Sequence, residues 1–174
     1  MDAFSVRTKI MIGGGMDALA QRLHRVFLVT DKFMAESGKT NYVTDRLLRN
    51  GGEFKIFSDV QADPDIATVT RGVEQILEFQ PDAVVAFGGG SAIDAAKAIV
   101  FFAARERDMR DCKFIAIPTT SGTGSEVTDY AVITDRAKGI KYPLDSQALR
   151  PPVAILDPEL TVSAPASVTA DAGM

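Results

Sequence analysis

The chain contains one cysteine and one histidine among its 174 residues, so it is poor in the side chains that build most metal and disulfide sites. The single thiol, Cys112, excludes an internal disulfide and a cysteine-rich zinc site. The single imidazole, His24, precedes Arg25 and an apolar run, and no Ser/His/Asp set for acyl transfer can be assembled around it. We therefore interpret Cys112 as an inert thiol and His24 as a surface group, and we expect no metal site within these residues.

Long apolar runs and a cationic block are also missing. The longest apolar stretch, AIVFFAA at 98–104, is far shorter than a membrane span, and the N-terminal MDAFSVRTKIMI has an early acid and no apolar signal core. The net charge is −4, and the basic residues of 105–113 alternate with acids. We expect a cytoplasmic, one-domain globular protein whose partners include neither a membrane nor a nucleic acid.

Extended apolar runs alternate with helix-like stretches along most of the chain. The predicted strands are 25–31, 54–60, 83–87, 114–118 and 153–157, and 130–135 with 140–144 forms a predicted hairpin. The predicted helices are 42–50, 66–80 and an alanine-rich one from the glycines at 88–90 to about Ala104. The tail from Pro158 onward has no core pattern of its own.

This alternation predicts an α/β fold, with a Rossmann-like, doubly wound and mostly parallel sheet and an added β-hairpin. In such sheets ligands bind beyond the carboxyl ends of the strands. Both unusual turns of the sequence, at 88–91 and 119–125, directly follow predicted strands. The predicted fold therefore places both turns where a ligand would bind.

The first of these turns lies in FGGGSAIDAAKAI at 87–99. Glycines between a strand and a helix allow backbone N–H groups to approach an anion at the helix N-terminus. Ser91 is a predicted N-cap, and Asp94 three residues later resembles the acidic partner of a capping box. The segment matches neither a Walker loop nor a G-x-G-x-x-G fingerprint, so a tight corner with an ordinary cap remains the alternative.

The second turn, TTSGTGS at 119–125, carries five hydroxyls and two glycines. Such hydroxyls can hydrogen-bond a ribose, a base or a phosphate, and the alternative is a solvated polar loop. Asp31 ends a predicted strand, where it could accept from ribose hydroxyls and repel a 2′-phosphate, or simply face water. Lys97 is predicted on a solvated helix face. Lys141, just beyond the hairpin turn, could reach a cleft or lie on the surface.

The combination of motifs goes beyond these two turns. In order, the chain contains FGGGSAIDAAKAI, IPTTSGTGSEVT, ITDRAKGIKYPL, LRPPVAILDPELT and TADAGM. In order and spacing they resemble the N-terminal half of the iron-containing (group III) alcohol dehydrogenases, and the resemblance covers essentially the whole chain. It implies an NAD(P)-dependent interconversion of a primary alcohol, such as 1-propanol, and its aldehyde.

The resemblance also implies a site for NAD on this chain. The residues at the positions of the family's binding motifs are Asp31, Asp63, Gly89, Gly90, Ser91, Asp94, Thr119, Thr120, Thr123, Val132 and Lys141. Glycines 89 and 90, with Ser91 and Asp94, would hold the pyrophosphate side. The threonines and Val132 would line the adenosine and phosphate region, Lys141 would reach the nicotinamide ribose, and Asp31 would favour NAD. Asp63 stands where the family often has asparagine, so it could accept from a ribose hydroxyl but not donate as an amide.

Residues 1–160 would then form the dinucleotide-binding domain, and 161–174 would begin the connection to a C-terminal helical domain that holds Fe²⁺. In the family, the segment that TADAGM resembles continues with metal-ligating aspartate and histidine residues. The resemblance therefore implies that all metal ligands lie beyond Met174 and that this chain alone turns over no alcohol. It also implies a homodimer, located in the cytoplasm or within a bacterial microcompartment.

Two other interpretations remain open at this point. The chain could be a stand-alone, non-catalytic nucleotide-binding or assembly module. It could also be a relative on the same fold, such as a glycerol dehydrogenase or a dehydroquinate synthase, for which zinc would be the expected metal. The segments TTSGTGSEVT and DPELT fit those relatives less well.

Overall fold

The computed structural model describes residues 6–173, and a parallel β-sheet forms its centre. The strands in chain order are β1 (Lys9–Ile12), β2 (Arg25–Asp31), β3 (Glu53–Val60), β4 (Ala83–Gly88), β5 (Lys113–Pro118), β6 (Tyr130–Asp135), β7 (Ile140–Asp145) and β8 (Val153–Leu156). Six of them form one sheet in the order β1-β8-β5-β4-β2-β3, in which every pairing is parallel. Strands β6 and β7 form a separate antiparallel pair. The predicted α/β class with an added hairpin is confirmed.

Helices connect these strands and cover the sheet. They are α1 (Gly15–Ala20), α2 (Lys32–Glu36), α3 (Asn41–Arg49), α4 (Ile66–Phe79), α5 (Gly90–Glu106) and α6 (Ala166–Gly173), with short 3₁₀ turns at Ser125–Val127, Gln147–Leu149 and Pro158–Leu160. The predicted strands and the three predicted long helices are all present, with ends shifted by a residue or two. Strand β1 and helices α1 and α6 were not predicted, whereas α2 lies in a stretch whose sequence has helical character up to Ser37-Gly38-Lys39.

The core has two layers because the central strands are buried on both faces. Phe27 and Val29 of β2 pack on one side with α4 and α5, and Val26 and Leu28 pack on the other side with α1 and α3. All six residues of β4 are buried. This explains why these strands lack a polar alternation in the sequence.

In the sequence of α4, the spacing of Ile66, Val69, Val73, Ile76 and Leu77 places them on one face of the helix and predicts that this face is buried. Four of the five pack against the core as predicted. Ile66 is 48% exposed, because it is the first residue of the helix and lies at the rim beside the hairpin.

The strand order reverses direction at the centre of the sheet. The chain leaves β2 for β3 on one side, then returns to β4 on the other side of β2 and continues to β5. The carboxyl ends of β2 and β4 therefore flank a topological switch point, where open α/β sheets bind their ligands.

Candidate functional site

Three strand ends and the loops that follow them form the candidate site. Asp31 ends β2, Gly88 ends β4 and Pro118 ends β5. The ends of β4 and β5 are joined beyond the sheet by a bond from Thr119 N to the Gly88 carbonyl (2.9 Å). The Thr30 hydroxyl of β2 donates to the Phe87 carbonyl of β4 (2.7 Å). These bonds hold the three ends in one fixed arrangement.

The two turns singled out in the sequence lie against each other. A Cβ on Gly89 would stand 3.3 Å from Thr120 Oγ1, and one on Gly90 would stand 3.0 Å from Thr123 Cγ2. Gly88 has a φ of +149°, a backbone conformation that residues other than glycine rarely adopt. The absence of side chains at 88–90 therefore leaves backbone N–H groups at the N-terminus of α5 open to an anion.

Thr119 supplies an independent indication of a ligand. The residue is 2% exposed, and its Oγ1 has no hydrogen-bond partner among the residues that the structure describes. A buried hydroxyl without a partner carries a desolvation cost, and such groups commonly mark a missing ligand or water. Thr119 and Thr120 also line a cavity of about 370 Å³ between α2 and residues 163–168.

One carboxylate oxygen of Asp31 accepts a hydrogen bond from α2, and the other has no partner within residues 6–173. Its Oδ1 accepts from Met34 N (2.9 Å) and so caps α2. Its Oδ2 lies 3.6 Å from the position that a Cβ on Gly88 would take. The carboxylate therefore borders the glycine turn and can still accept a hydrogen bond from a ligand hydroxyl.

The predicted cap of α5 is wrong. The N-cap is Gly89 rather than Ser91, and no side chain of the described residues caps this helix. Ser91 lies within the first turn, because the backbone becomes helical at Gly90. Asp94 is not part of a capping box. Its Oδ1 accepts from Ser125 Oγ (2.5 Å) and its Oδ2 accepts from Val132 N (3.0 Å).

The predicted position of Lys97 is also wrong. The residue is 1% exposed, and its Nζ donates to the Tyr130 carbonyl (2.7 Å) and to Thr128 Oγ1 (3.1 Å). Burial lowers the pKa of Lys97 to about 8, although nearby carboxylates, chiefly Asp94, oppose the shift. The helix face that carries Lys97 is covered by the loop and hairpin that follow β5, which the local sequence does not reveal.

The hairpin brings two further predicted residues together. Lys141 Nζ contacts Asp63 Oδ1 at 2.7 Å, and both side chains are more than half exposed. Strand β6 is attached to the same loop, since Thr134 N donates to the Pro64 carbonyl (2.8 Å). A second ion pair, Arg136 with the half-buried Asp65 (2.6 Å), lies beside it. Lys141 and Asp63 therefore lie where the loop after β3 meets the hairpin.

Several residues at the site were missed in the sequence. Phe33 is 63% exposed and lines the cavity beside Thr119, with Lys39 Nζ 5.5 Å from its ring centroid. Lys39 also bonds to Ser163 of the tail. No sequence pattern marks these residues, because α2 is short and the tail has no periodicity.

His24 and Cys112 both lie outside this site. His24 is exposed at the opposite end of the sheet, before β2. Burial raises the pKa of the Cys112 thiol to about 11, which keeps it protonated. Among residues 6–173, no group of three or more His, Cys, Asp or Glu side chains is arranged to hold a metal ion. Within the same range, no helix combines the length and apolarity needed to cross a membrane.

A larger apolar cavity lies elsewhere. It has a volume of about 450 Å³, and α4, α5 and the hairpin line it through residues such as Val69, Phe102 and Tyr142. None of the predicted site residues lines it. We therefore take the smaller cavity beside Thr119 as the one that belongs to the candidate site.

Comparison with known proteins places this arrangement in a family. The family model for iron-containing alcohol dehydrogenase matches residues 8–158, and the chain belongs to that family. It is 47% identical over 176 residues to the 1-propanol dehydrogenase PduQ of Citrobacter freundii, covering 100% of this chain and 47% of that protein. It is 45% identical over 177 residues to PduQ of Salmonella typhimurium, with the same coverage.

Solved structures agree with this assignment. The sulfoacetaldehyde reductase of Bifidobacterium kashiwanohense in complex with NAD⁺ superimposes with a TM-score of 0.85 at 34% identity, covering 99% of this chain and 50% of that one. A 1,3-propanediol oxidoreductase gives a TM-score of 0.88 at 29% identity, covering 100% and 50%. The chain thus spans about half the length of the curated relatives it matches.

Proposed function

We propose that this chain is the NAD-binding half of an oxidoreductase that interconverts a small primary alcohol, such as 1-propanol, and its aldehyde. The observation that carries the proposal is the contact between the glycine turn and the hydroxyl loop at the switch point, with the buried, unpartnered Thr119 hydroxyl beside it. The similarity to two 1-propanol dehydrogenases supports the substrate class.

The residues present suit a dinucleotide. The backbone of Gly89 and Gly90 with Ser91 would bind the pyrophosphate, because N–H groups at a helix N-terminus attract anions. Thr119, Thr120 and Thr123 would offer hydroxyls to the phosphate and adenosine portions. Asp31 would accept from a ribose hydroxyl, and Lys141 with Asp63 would hold the nicotinamide ribose. When bound, NAD supplies the hydride acceptor and donor, so these residues serve to bind and orient.

A preference for NAD over NADP is supported by charge. The Asp31 carboxylate would repel a 2′-phosphate, and Asp31 pairs with Val60 at the end of β3. Cations beside this position are already matched with carboxylates: Lys32 with Glu36 (3.6 Å) and Arg71 with Asp59 (3.1 Å). The chain is also 41% identical over 155 residues to the NADPH-dependent butanol dehydrogenase of Clostridium saccharobutylicum, so the preference needs a direct test.

The test is titration of the chain with NAD⁺ and with NADP⁺ by calorimetry. We expect NAD⁺ to bind at least about tenfold more tightly, a difference of about 1.4 kcal/mol. In Asp31→Asn the amide oxygen can still cap α2, but the charge is lost, so the preference for NAD⁺ should shrink. Tighter binding of NADP⁺ by the parent chain would contradict the role of Asp31.

Asp82→Asn is the matched control for this experiment. The Asp82 carboxylate also accepts from backbone N–H groups, those of His24 (2.9 Å) and Arg25 (3.1 Å), but at the amino ends of the strands. This variant should leave the NAD⁺/NADP⁺ ratio unchanged. A parent chain that binds neither dinucleotide would refute the proposed function.

The remaining parts of the proposal concern the whole enzyme. Residues 1–160 would be the dinucleotide-binding domain, and 161–174 would lead into a second domain. Residues 6–173 offer no cluster of metal ligands, so the iron of the family would be held by residues outside this range. The chain alone should therefore turn over no alcohol, and formation of NADH from NAD⁺ and 1-propanol by the purified chain would contradict this. The homodimer and the cytoplasmic or microcompartment location stay predictions.

A further inference from the structure

Helix α5 connects the glycine turn to everything that follows the hydroxyl loop. Its N-terminus forms the turn, and its next two turns carry Asp94 and Lys97. Both side chains bond to residues 125–132, which run from the last residue of the hydroxyl loop to the third residue of β6. We call these residues the connecting segment. This contact is separate from the carboxyl ends of the strands that form the candidate site.

Four hydrogen bonds fix the connecting segment at four points along its length. Asp94 accepts from Ser125 Oγ (2.5 Å) and from Val132 N (3.0 Å), near the two ends. Lys97 donates to Thr128 Oγ1 (3.1 Å) and to the Tyr130 carbonyl (2.7 Å), between them. The segment therefore has little freedom to move relative to α5.

An ion pair with a residue outside α5 also holds the connecting segment. Arg150, just before β8, bonds through Nη2 to Asp129 Oδ2 at 2.5 Å. The charged groups around Lys97 are thus Asp94 on its own helix, Glu126 and Asp129 on the segment, and Arg150 on the far side. Net negative charge surrounds the buried ammonium group.

The burial of the Lys97 ammonium group is unfavourable if only the stability of the fold is considered. Burying an ammonium group requires desolvation, and an apolar side chain of similar length often gives an equally stable fold. What an apolar side chain cannot do is fix the register of a loop through two directed hydrogen bonds. The two ends of the segment also lie next to proposed ligand contacts, since Ser125 follows Thr123 closely and β6 pairs with the strand that carries Lys141.

We propose that Asp94 and Lys97 are positioning residues, which act through the connecting segment to hold the hydroxyl loop and the hairpin in the geometry that binds the dinucleotide. This inference rests on the proposed function. It changes the expected role of Asp94, because both of its oxygens bond to this chain rather than to the ligand. Lys97 acquires a role that the family resemblance did not give it.

The test is Lys97→Met, an unbranched apolar replacement of similar length. Hydrogen–deuterium exchange of the unliganded chain should increase about tenfold or more in the connecting segment and stay unchanged in β4 and β5, because only local opening becomes easier. The dissociation constant for NAD⁺ should rise about tenfold. The thermal midpoint should stay the same or rise, since a desolvation cost has been removed.

Three further variants sharpen the result. Lys55→Met removes a lysine that pairs with Glu78 (3.1 Å) on the edge strand β3, and it should change neither exchange in the segment nor NAD⁺ affinity. Lys97→Arg keeps the charge and the donors and should restore part of the affinity. Asp94→Asn leaves one donor without an acceptor and should loosen the segment in the same way as Lys97→Met.

The outcomes separate the two proposals. Unchanged exchange in the connecting segment of Lys97→Met, or a uniform increase over the whole sheet, would overturn the positioning role. Equal effects of Lys97→Met and Lys55→Met would overturn it as well. Failure of the parent chain to bind NAD⁺ would refute the proposed function instead, because the exchange measurement needs no ligand.

Discussion

The turns at the carboxyl ends of β4 and β5 and the hairpin β6–β7 flank the same proposed ligand but are built differently. The turns meet through backbone and small side chains, with Gly89 and Gly90 against Thr120 and Thr123. The hairpin meets the loop after β3 through a backbone bond from Thr134 N to the Pro64 carbonyl and through ion pairs, of which Lys141 with Asp63 is exposed. Steric contact leaves no tolerance for added atoms, whereas exposed ion pairs contribute little energy and tolerate change.

The largest expected effect on stability comes from replacing a glycine in the turns, and a glycine in the hairpin provides the comparison. Gly88→Ala places a Cβ 2.8 Å from Ala92 Cβ and forces alanine into a φ of +149°. We expect it to lower the free energy of unfolding by about 3 kcal/mol, as strain and overpacking combine. Chemical denaturation monitored by circular dichroism would measure the change.

Gly139→Ala in the hairpin turn is the matched comparison. Gly139 has a φ of +65°, but no atom of residues 6–173 lies within 4 Å of the added Cβ. Only the left-handed conformation then opposes the substitution, at about 1 kcal/mol. Equal losses of stability in the two variants would remove the proposed difference between the turns and the hairpin.

The turns could be predicted from the sequence because their chemistry is local. Glycines and hydroxyls directly after apolar runs mark strand ends, and parallel strands place their carboxyl ends at one edge of the sheet. The strands were predicted for the same reason, since buried central strands appear as unbroken apolar runs such as AVVAF. The contact between the two turns then follows from adjacent positions of β4 and β5 in the sheet.

Three other features, the burial of Lys97, the cap of α5 and strand β1, could not be predicted from the local sequence. Lys97 lies in an alanine-rich helix, and its burial depends on a loop about thirty residues later in the chain. Ser91 is not the N-cap because the helix begins at Gly90, so that Gly89, which has no side chain, is the N-cap. Strand β1 was missed because KIMI is a short strand that pairs, within residues 6–173, with β8 alone, far along the sequence.

A second prediction concerns Lys97 and pH. Its pKa falls from 10.5 to about 8 on folding, so the unfolded chain binds more protons between these values. Stability must then rise with pH through this window. Relative to Lys97→Met, the free energy of unfolding of the parent chain should increase by on the order of 2 kcal/mol from about pH 8 to pH 10.

A second group, Tyr42, changes the pH dependence of stability above pH 10. Burial and a bond to Asp157 (2.9 Å) raise the pKa of Tyr42 from 10.0 to about 12. Its contribution to stability is therefore present below pH 10 and is lost as the pH rises toward 12. Urea denaturation of the parent, Lys97→Met and Tyr42→Phe between pH 7.5 and 10 separates the two effects. Parallel pH profiles for the parent and Lys97→Met would show that Lys97 does not titrate in this range.

The smallest expected effect on stability concerns Lys141. Its ion pair with Asp63 is exposed, so Lys141→Gln should change the free energy of unfolding by less than about 0.5 kcal/mol. NAD⁺ affinity should nevertheless fall about tenfold, because the cation that we propose to reach the nicotinamide ribose is lost. Lys138→Gln is the control, since Lys138 contacts Asp135 (3.5 Å) in the same hairpin but is not among the proposed ligand contacts.

If the two variants weaken binding equally, the hairpin attracts the dinucleotide only through its general charge, and the specific role of Lys141 is wrong. If only Lys141→Gln weakens binding, a residue whose ion pair contributes almost nothing to the free energy of unfolding is part of the binding site. Gly88 is the opposite case, because its substitution is expected to lower the free energy of unfolding strongly.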